Sequence, residues 1–208
     1  MYDLGPAVVF TIFFVTLGPL KILGPFAQRT HGLDTAVTRQ IAVRAFIMAT
    51  IAVVLGSLLG RAMLDNWAVS IDAMIIAAGV IFFLVALRQL LAEYEPAPVT
   101  AAPPPLPNDP TAAAIRLLFP IVLTPYGIAA VIVLLAASKD MQRTLTILAF
   151  VVAVMVLNLL AMLYARKILV GVTMIVLQVL GAVLGVLQVG LAIQFMLTGL
   201  QRLGAIRG

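Results

Sequence analysis

The sequence predicts an all-α membrane protein: six transmembrane helices arranged as two inverted three-helix repeats, with the first and fourth helices broken. Three observations predict it. The chain of 208 residues is 63% apolar and only 10% charged, whereas a soluble domain is roughly half apolar and a quarter charged. Charge-poor runs long enough for the roughly 30 Å hydrocarbon core recur six times. A proline-broken turn appears twice inside those runs, as Leu17-Gly18-Pro19-Leu20-Lys21-Ile22 and Leu123-Thr124-Pro125-Tyr126-Gly127-Ile128, with the prolines 106 positions apart.

The spans fall in order at 7–27, 40–60, 72–91, 116–137, 144–165 and 176–200. The opening Met1-Tyr2-Asp3 lacks the basic n-region of a cleavable signal, so the first run reads as a permanent helix. It carries Pro25 in addition to Pro19, and the fourth span carries Pro120 in addition to Pro125. Asp34 precedes the second span and Asp140 the fifth. Each carboxylate can accept from the free N–H groups of a first helical turn and complement the helix dipole. In the third and sixth spans Gly79, Ala86, Gly185 and Ala192 permit close helix approach. Asn158 in the fifth, with Gln188 and Gln194 in the sixth, reads as interhelical hydrogen-bonding groups. Arg44 and Arg88, near span ends, read as interfacial anchors.

The offset of 106 relates more than the prolines. It pairs Gly79 with Gly185, Ala86 with Ala192, Asp34 with Asp140, Thr38 with Thr144 and Arg61 with Lys167. A unit of three crossings forces its copy to enter from the opposite face, which gives an inverted repeat. The organisation expected is therefore a first repeat over 1–92, a linker over 93–115 and a second repeat over 116–208. Prolines 96, 98, 103, 104, 105, 107 and 110 make the linker an extended, solvated tether. With both termini outside, the inner face receives Arg29, Arg39, Arg44, Arg88, Arg116, Arg166 and Lys167. The outer face then has Arg61, Lys139, Arg143, Arg202 and Arg207, so the positive-inside tendency points to termini outside.

An unpaired backbone group in hydrocarbon costs several kcal/mol, so a broken helix survives there only beside protein or a water-filled cavity. Two breaks at matched positions point to a transporter's binding site. Pro19 and Pro125 remove a donor, and Gly18 and Gly127 loosen the same turns. The freed carbonyls suit a cation or an ammonium group, and the N-terminus of a resumed half-helix suits a carboxylate. A zwitterionic amino acid fits, as does any small molecule with a polar end. Lys21 is an ionisable group at membrane depth; it faces a cavity or a partner, or snorkels to an interface. Tyr126 can close a pocket or pack between helices. The candidate substrate-binding set is Gly18, Pro19, Lys21, Thr124, Pro125, Tyr126 and Gly127.

Other chemistries find no residues. There is no cysteine, and the one histidine, His31, falls in a predicted loop. No Asp or Glu lies within a span interior, and no phosphate-binding loop is present. No enzyme activity, cofactor or metal is expected. The basic residues are too scattered for nucleic acid. The expected partners are the lipid bilayer and a small-molecule substrate, and a homo-oligomer is compatible with the pattern. The reading is a secondary transporter of a small polar solute working by alternating access. A passive channel or a non-transporting membrane scaffold are the alternatives.

The chain resembles the MarC family of bacterial inner-membrane proteins along nearly its whole length. The resemblance rests on Gly18-Pro19-Leu20, where the family usually has Asn-Pro-Leu, and on Pro120 through Ala129, where it has a Gly-Pro-Gly-like segment before Thr-Ile-Ala. It rests also on Gly185 through Gly199, with Gln194-Phe195 and Thr198-Gly199. It implies the six-span architecture of the lysine-exporter-like superfamily, in which some MarC-type proteins are described as small neutral amino-acid transporters. The chain departs from the pattern at Gly18, at Lys21 (commonly a small hydroxyl residue) and at Thr124-Pro125-Tyr126. These changes imply a smaller, more cationic pocket.

Overall fold

A computed structural model describes residues 5–92, 105–138, 140–171 and 174–206. Among them are α1 (Pro6–Leu17), α2 (Leu20–Arg29), α3 (Thr35–Asn66), α4 (Ile71–Ala92), α5 (Pro110–Leu117), α6 (Pro125–Ala136), α7 (Met141–Gly171) and α8 (Met174–Arg202). A five-residue π turn, Leu118–Val122, joins α5 towards α6, and no strand occurs among the described residues. Five segments are long and apolar enough to cross a membrane: Pro6–Arg29 counted through its break, Thr35–Leu64, Ile71–Arg88, Met141–Leu169 and Gly181–Arg202. The protein is a multi-pass, all-helical membrane protein.

The run at 116–137 reads from sequence as one span, but the chain does not build it as one helix. At 1.5 Å per residue, α6 alone is about 18 Å long, well short of the roughly 30 Å core. Proline removes a donor and collides with the preceding turn, and this run contains Pro120 and Pro125. Phe119 leaves helical geometry (φ −129°, ψ 131°), and the Leu123 N–H reaches the Leu118 carbonyl at 2.8 Å instead of closing an α turn.

The linker also ends earlier than expected. Residues 93–104 lie outside the described part, but from Pro110 the chain is helical. Proline in a first turn sacrifices no hydrogen bond, and the Asp109 carboxylate caps the turn by accepting from the Ala112 amide at 2.8 Å. Ala113 and Ala114 are fully buried, so α5 belongs to the core. Arg44, expected as an interfacial anchor, holds this corner by donating to the Thr111 hydroxyl and lying 3.8 Å from Asp109.

The two long helices α3 and α7 start at the expected aspartates. Asp34 accepts from the Ala36 amide at 3.1 Å, and Asp140 from the Arg143 amide at 2.6 Å. The long helices pack on each other; α2 lies against α7, and α6 against α3. To one side, α4 and α8 pack along their length. Small residues allow that approach: a Cβ on Gly79 would sit 2.8 Å from Met196 Cγ and 2.9 Å from the Met196 backbone nitrogen. Ala86 and Ala192 are completely buried at the same seam.

Polar contacts gather at two ends. At the terminal face, where α1 begins and α8 ends, Arg202 lies 3.7 Å from Asp72 and Arg61 reaches Thr144 at 3.5 Å. At the opposite, linker face, Arg44 meets Asp109 and Arg166 meets the α2–α3 loop.

Filling the α4–α8 seam tests this packing. Gly79→Leu should destabilise the protein by about 1–3 kcal/mol through overpacking, read as a lower melting temperature in detergent. Gly56→Ala, where an added Cβ meets nothing within 4 Å, should leave stability unchanged or raise it by up to roughly 1 kcal/mol.

Candidate functional site

The two breaks meet. Gly18 is extended (φ −77°, ψ 172°), and Pro19 opens α2 by accepting from the Ile22 and Leu23 amides at 3.1 and 3.3 Å. In a continuous helix the carbonyls of Val15, Thr16 and Leu17 would accept from residues 19, 20 and 21. The break frees them, and three side chains from elsewhere donate instead. Gln188 Nε2 reaches the Val15 carbonyl at 3.4 Å, the Thr124 hydroxyl reaches Thr16 at 2.9 Å, and Asn158 Nδ2 reaches Leu17 at 2.7 Å. These carbonyls, which the sequence offered as cation ligands, are occupied by protein donors. Asn158 and Gln188 thus act as expected, as interhelical partners. Their Oδ1 and Oε1 atoms are buried without a partner.

The second break has a cap of its own. The Thr124 hydroxyl also accepts from the Gly127 amide at 3.3 Å, so it caps α6 while donating to the first break. The α6 N-terminus, offered by the sequence as a carboxylate site, is therefore partly filled by its own residue. α2 has no side-chain cap. Two glycines make the meeting possible. A Cβ on Gly127 would fall 2.3 Å from Leu17 Cδ2, and one on Gly18 would fall 1.8 Å from the Phe14 carbonyl oxygen.

Lys21 bridges the breaks. Its Nζ donates to the Tyr126 hydroxyl and lies 4.2 Å from the centroid of that ring. Tyr126 is 2% exposed and stacks on Phe82 at 4.8 Å, with Phe82 next to Phe195 at 6.5 Å. Tyr126 thus both packs and holds a polar contact. Pro19 is half-buried at the start of α2, and Pro125 is exposed in the first turn of α6. All seven candidate residues gather at this junction of α1, α2 and α6.

A cavity of about 420 Å³ lies between α1, α4, α6 and α8. It runs from Val8, Ala137 and Arg202 at the terminal face to Ala130, Leu191 and Phe195. Eleven residues of α8 separate Arg202 from Leu191, about 16 Å of rise. Its walls are apolar except for one stripe on α8: Gln194, Thr198, Gln201 and Arg202. Beyond its inner end, the buried rings of Phe82 and Tyr126 pack in sequence behind Phe195 and separate the cavity from Lys21.

The two faces are tied differently. At the linker face Arg166 donates to the carbonyls of Thr30 and Leu33 at 2.8 and 2.7 Å and to the Thr38 hydroxyl at 3.3 Å. At the terminal face Arg61 makes one long contact with the Thr144 hydroxyl, 3.5 Å. Thr38 and Thr144 are the pair the offset predicts, and each bonds back to the carbonyl of its aspartate, Asp34 at 2.9 Å and Asp140 at 3.1 Å. The partner of Arg61 in this comparison is Arg166 and not Lys167, whose Nζ lies 5.8 Å from the Tyr164 ring.

A helical bundle with five segments long and apolar enough to cross a membrane defines a polytopic integral membrane protein. The chain matches the family model described as MarC family integral membrane protein over residues 7–203, and it belongs to that family. No curated protein and no solved structure matches it. The resemblance read from the proline turns is borne out. The asparagine common in the family at position 18 has no room on this backbone, because its Cβ would overlap the Phe14 carbonyl. Sequence reasoning missed Phe82, Phe195 and the docking role of Arg166; a Phe in an apolar run carries no signal of what it faces.

Thr124→Val should cost about 1–3 kcal/mol, because it leaves the Thr16 carbonyl and the Gly127 amide buried without a partner. Thr124→Ser should retain most of that stability, as measured by melting temperature in detergent. Gly18→Ala should lower the melting temperature, whereas Gly24→Ala, with nothing within 4 Å of the added Cβ, should not.

Proposed function

We propose that the protein is a secondary transporter of a small polar solute, working by alternating access in a bacterial inner membrane. The observation that carries the reading is the pairing of a cavity from the terminal face with a tightly tied linker face, and the two broken helices meeting between them. On this reading the two repeats are residues 1–92 and 116–208, inverted relative to each other. Supporting this, α2 packs on α7 as α6 packs on α3, α1 on α7 as α5 on α3, and α3–α7 and α4–α8 are mutual pairs. The basic residues favour both termini outside, so the cavity faces outward. The substrate set is Gly18, Pro19, Lys21, Thr124, Pro125, Tyr126 and Gly127.

In alternating access the two faces exchange roles. On this reading the conformation is the outward-open one, which is supported by the Arg166 contacts at the linker face and the single long Arg61–Thr144 contact at the other. The inward-open state tightens Arg61 on Thr144 and frees Arg166. A passive channel needs a path open through both faces. A scaffold shares the dry packing of the Val15–Leu17 carbonyls, and only flux separates it from a transporter.

The native chain has no cysteine, so single cysteines report access directly. In inside-out and right-side-out vesicles, Ala78→Cys in the cavity wall should label with an impermeant maleimide from the terminal face. Ala165→Cys, buried beside Arg166, should label from the linker face only when Arg166→Ala is added. In proteoliposomes, uptake or efflux should be saturable, show counterflow, and fall in Pro19→Ala, Lys21→Met and Pro125→Ala. Unchanged transport in all three variants removes the breaks from the mechanism.

A further inference from the structure

We propose that the cavity between α1, α4, α6 and α8 is a binding site for an uncharged small molecule with an apolar body and one end that both donates and accepts a hydrogen bond, as a primary amide or an alcohol does, read by Gln194 and Thr198. The site stands on the lining of the cavity; that its occupant also crosses the membrane rests on the transporter reading.

At about 420 Å³ the cavity has the size of a small-ligand pocket, roughly 300–1,000 Å³. It does not reach the junction of the breaks, since Leu20, Lys21 and Tyr126 are not among its lining residues.

Charge selects first. Among the described lining residues only Arg202 is charged; it stands at the mouth, and Asp72 lies 3.7 Å from it. Gln194 lies eight residues further in on α8, about 12 Å of rise. A carboxylate or an ammonium group carried to that depth would lose its water and meet no opposite charge, which desolvation strongly disfavours.

The polar stripe of α8 selects next. Gln194 is exposed within the Gly181–Arg202 span, and it faces the cavity. Its Nε2 makes one long contact, 3.4 Å to the Thr198 hydroxyl, and that hydroxyl gives its own proton to the Gln194 carbonyl at 2.8 Å. A carboxamide has two N–H donors and a carbonyl acceptor. Among the described contacts Gln194 therefore keeps one donor and its Oε1 for a ligand, and the Thr198 hydroxyl keeps an acceptor position. A donor beside an acceptor matches a group that has both. A lipid acyl chain would cover Gln194 without answering either atom, which costs hydrogen bonding in apolar surroundings.

The apolar body follows from the other walls. Opposite the stripe, Ile12, Ile75, Ala78 and Leu134 present apolar surface from α1, α4 and α6. Phe195 closes the inner end, with the buried rings of Phe82 and Tyr126 behind it. The occupant is thus apolar along one edge and polar along the other, and it enters from the terminal face.

Four compounds with one body test this on purified protein in detergent at pH 7: isovaleramide, isopentanol, isovalerate and isopentylamine. Isovaleramide and isopentanol should bind saturably by calorimetry. The anion and the cation should bind at least about tenfold more weakly, since neither finds a counter-charge. Gln194→Leu should weaken isovaleramide by at least about tenfold, through loss of the hydrogen-bonding pair. With the side chain at 194 left intact, isovaleramide should slow the labelling of Ala78→Cys by maleimide, which places the ligand in the cavity without relying on the Gln194 variant. Equal binding of the four compounds, undiminished isovaleramide binding in Gln194→Leu, labelling of Ala78→Cys that isovaleramide does not slow, or no binding of either neutral compound overturns the proposal. Counterflow and the labelling of Ala165→Cys test the transporter reading separately. Isovaleramide bound through Gln194 in a protein without alternating access upholds the site and overturns only that reading.

Discussion

Everything at the centre of this protein depends on one constraint: a helix broken in hydrocarbon must have its freed backbone groups satisfied by the rest of the chain. Gly18-Pro19 frees the carbonyls of Val15, Thr16 and Leu17, and the donors come from α8, from the cap of α6 and from α7. Each donor commits its own helix to a fixed position against α1. The break is thus the point at which both halves of the sequence are tied together. Thr124 serves both breaks with one hydroxyl, accepting from one and donating to the other.

That solution is lopsided. Matched turns in the two halves are not equivalent in contact: α6 is capped and α2 is not, Lys21 has no cationic counterpart at the other turn, and Arg166 makes three bonds where Arg61 makes one. On the transporter reading proposed above, such asymmetry is what one conformation of a two-state device presents, since either state makes one half open and the other closed. The cavity on the terminal side and the firm tie on the linker side agree with each other in this sense.

Family membership accounts for the framework and not for the details. Position 18 has no room for a side chain on this backbone, because an added Cβ would overlap the Phe14 carbonyl. Lys21 and Tyr126 occupy neighbouring places in matched turns and are partners across the junction. A substitution at one of them alters the setting of the other, so the two form one structural unit.

Much of the fold was legible in the sequence because hydrocarbon imposes a simple rule. Apolar runs of sufficient length, the caps Asp34 and Asp140, the small residues Gly79, Ala86 and Ala192, and the proline turns are all local signals, and each does what its local chemistry requires. The sequence likewise identified Asn158 and Gln188 as interhelical donors, since an amide in a span needs a partner. It did not reveal which groups they would meet. Only the tertiary structure decided that the freed carbonyls are filled by protein, that Pro110 starts a helix packed into the core, and that Phe82 and Phe195 pack between the cavity and Tyr126. Those outcomes depend on which helices lie within hydrogen-bonding or van der Waals reach, a long-range property that no apolar run encodes by itself.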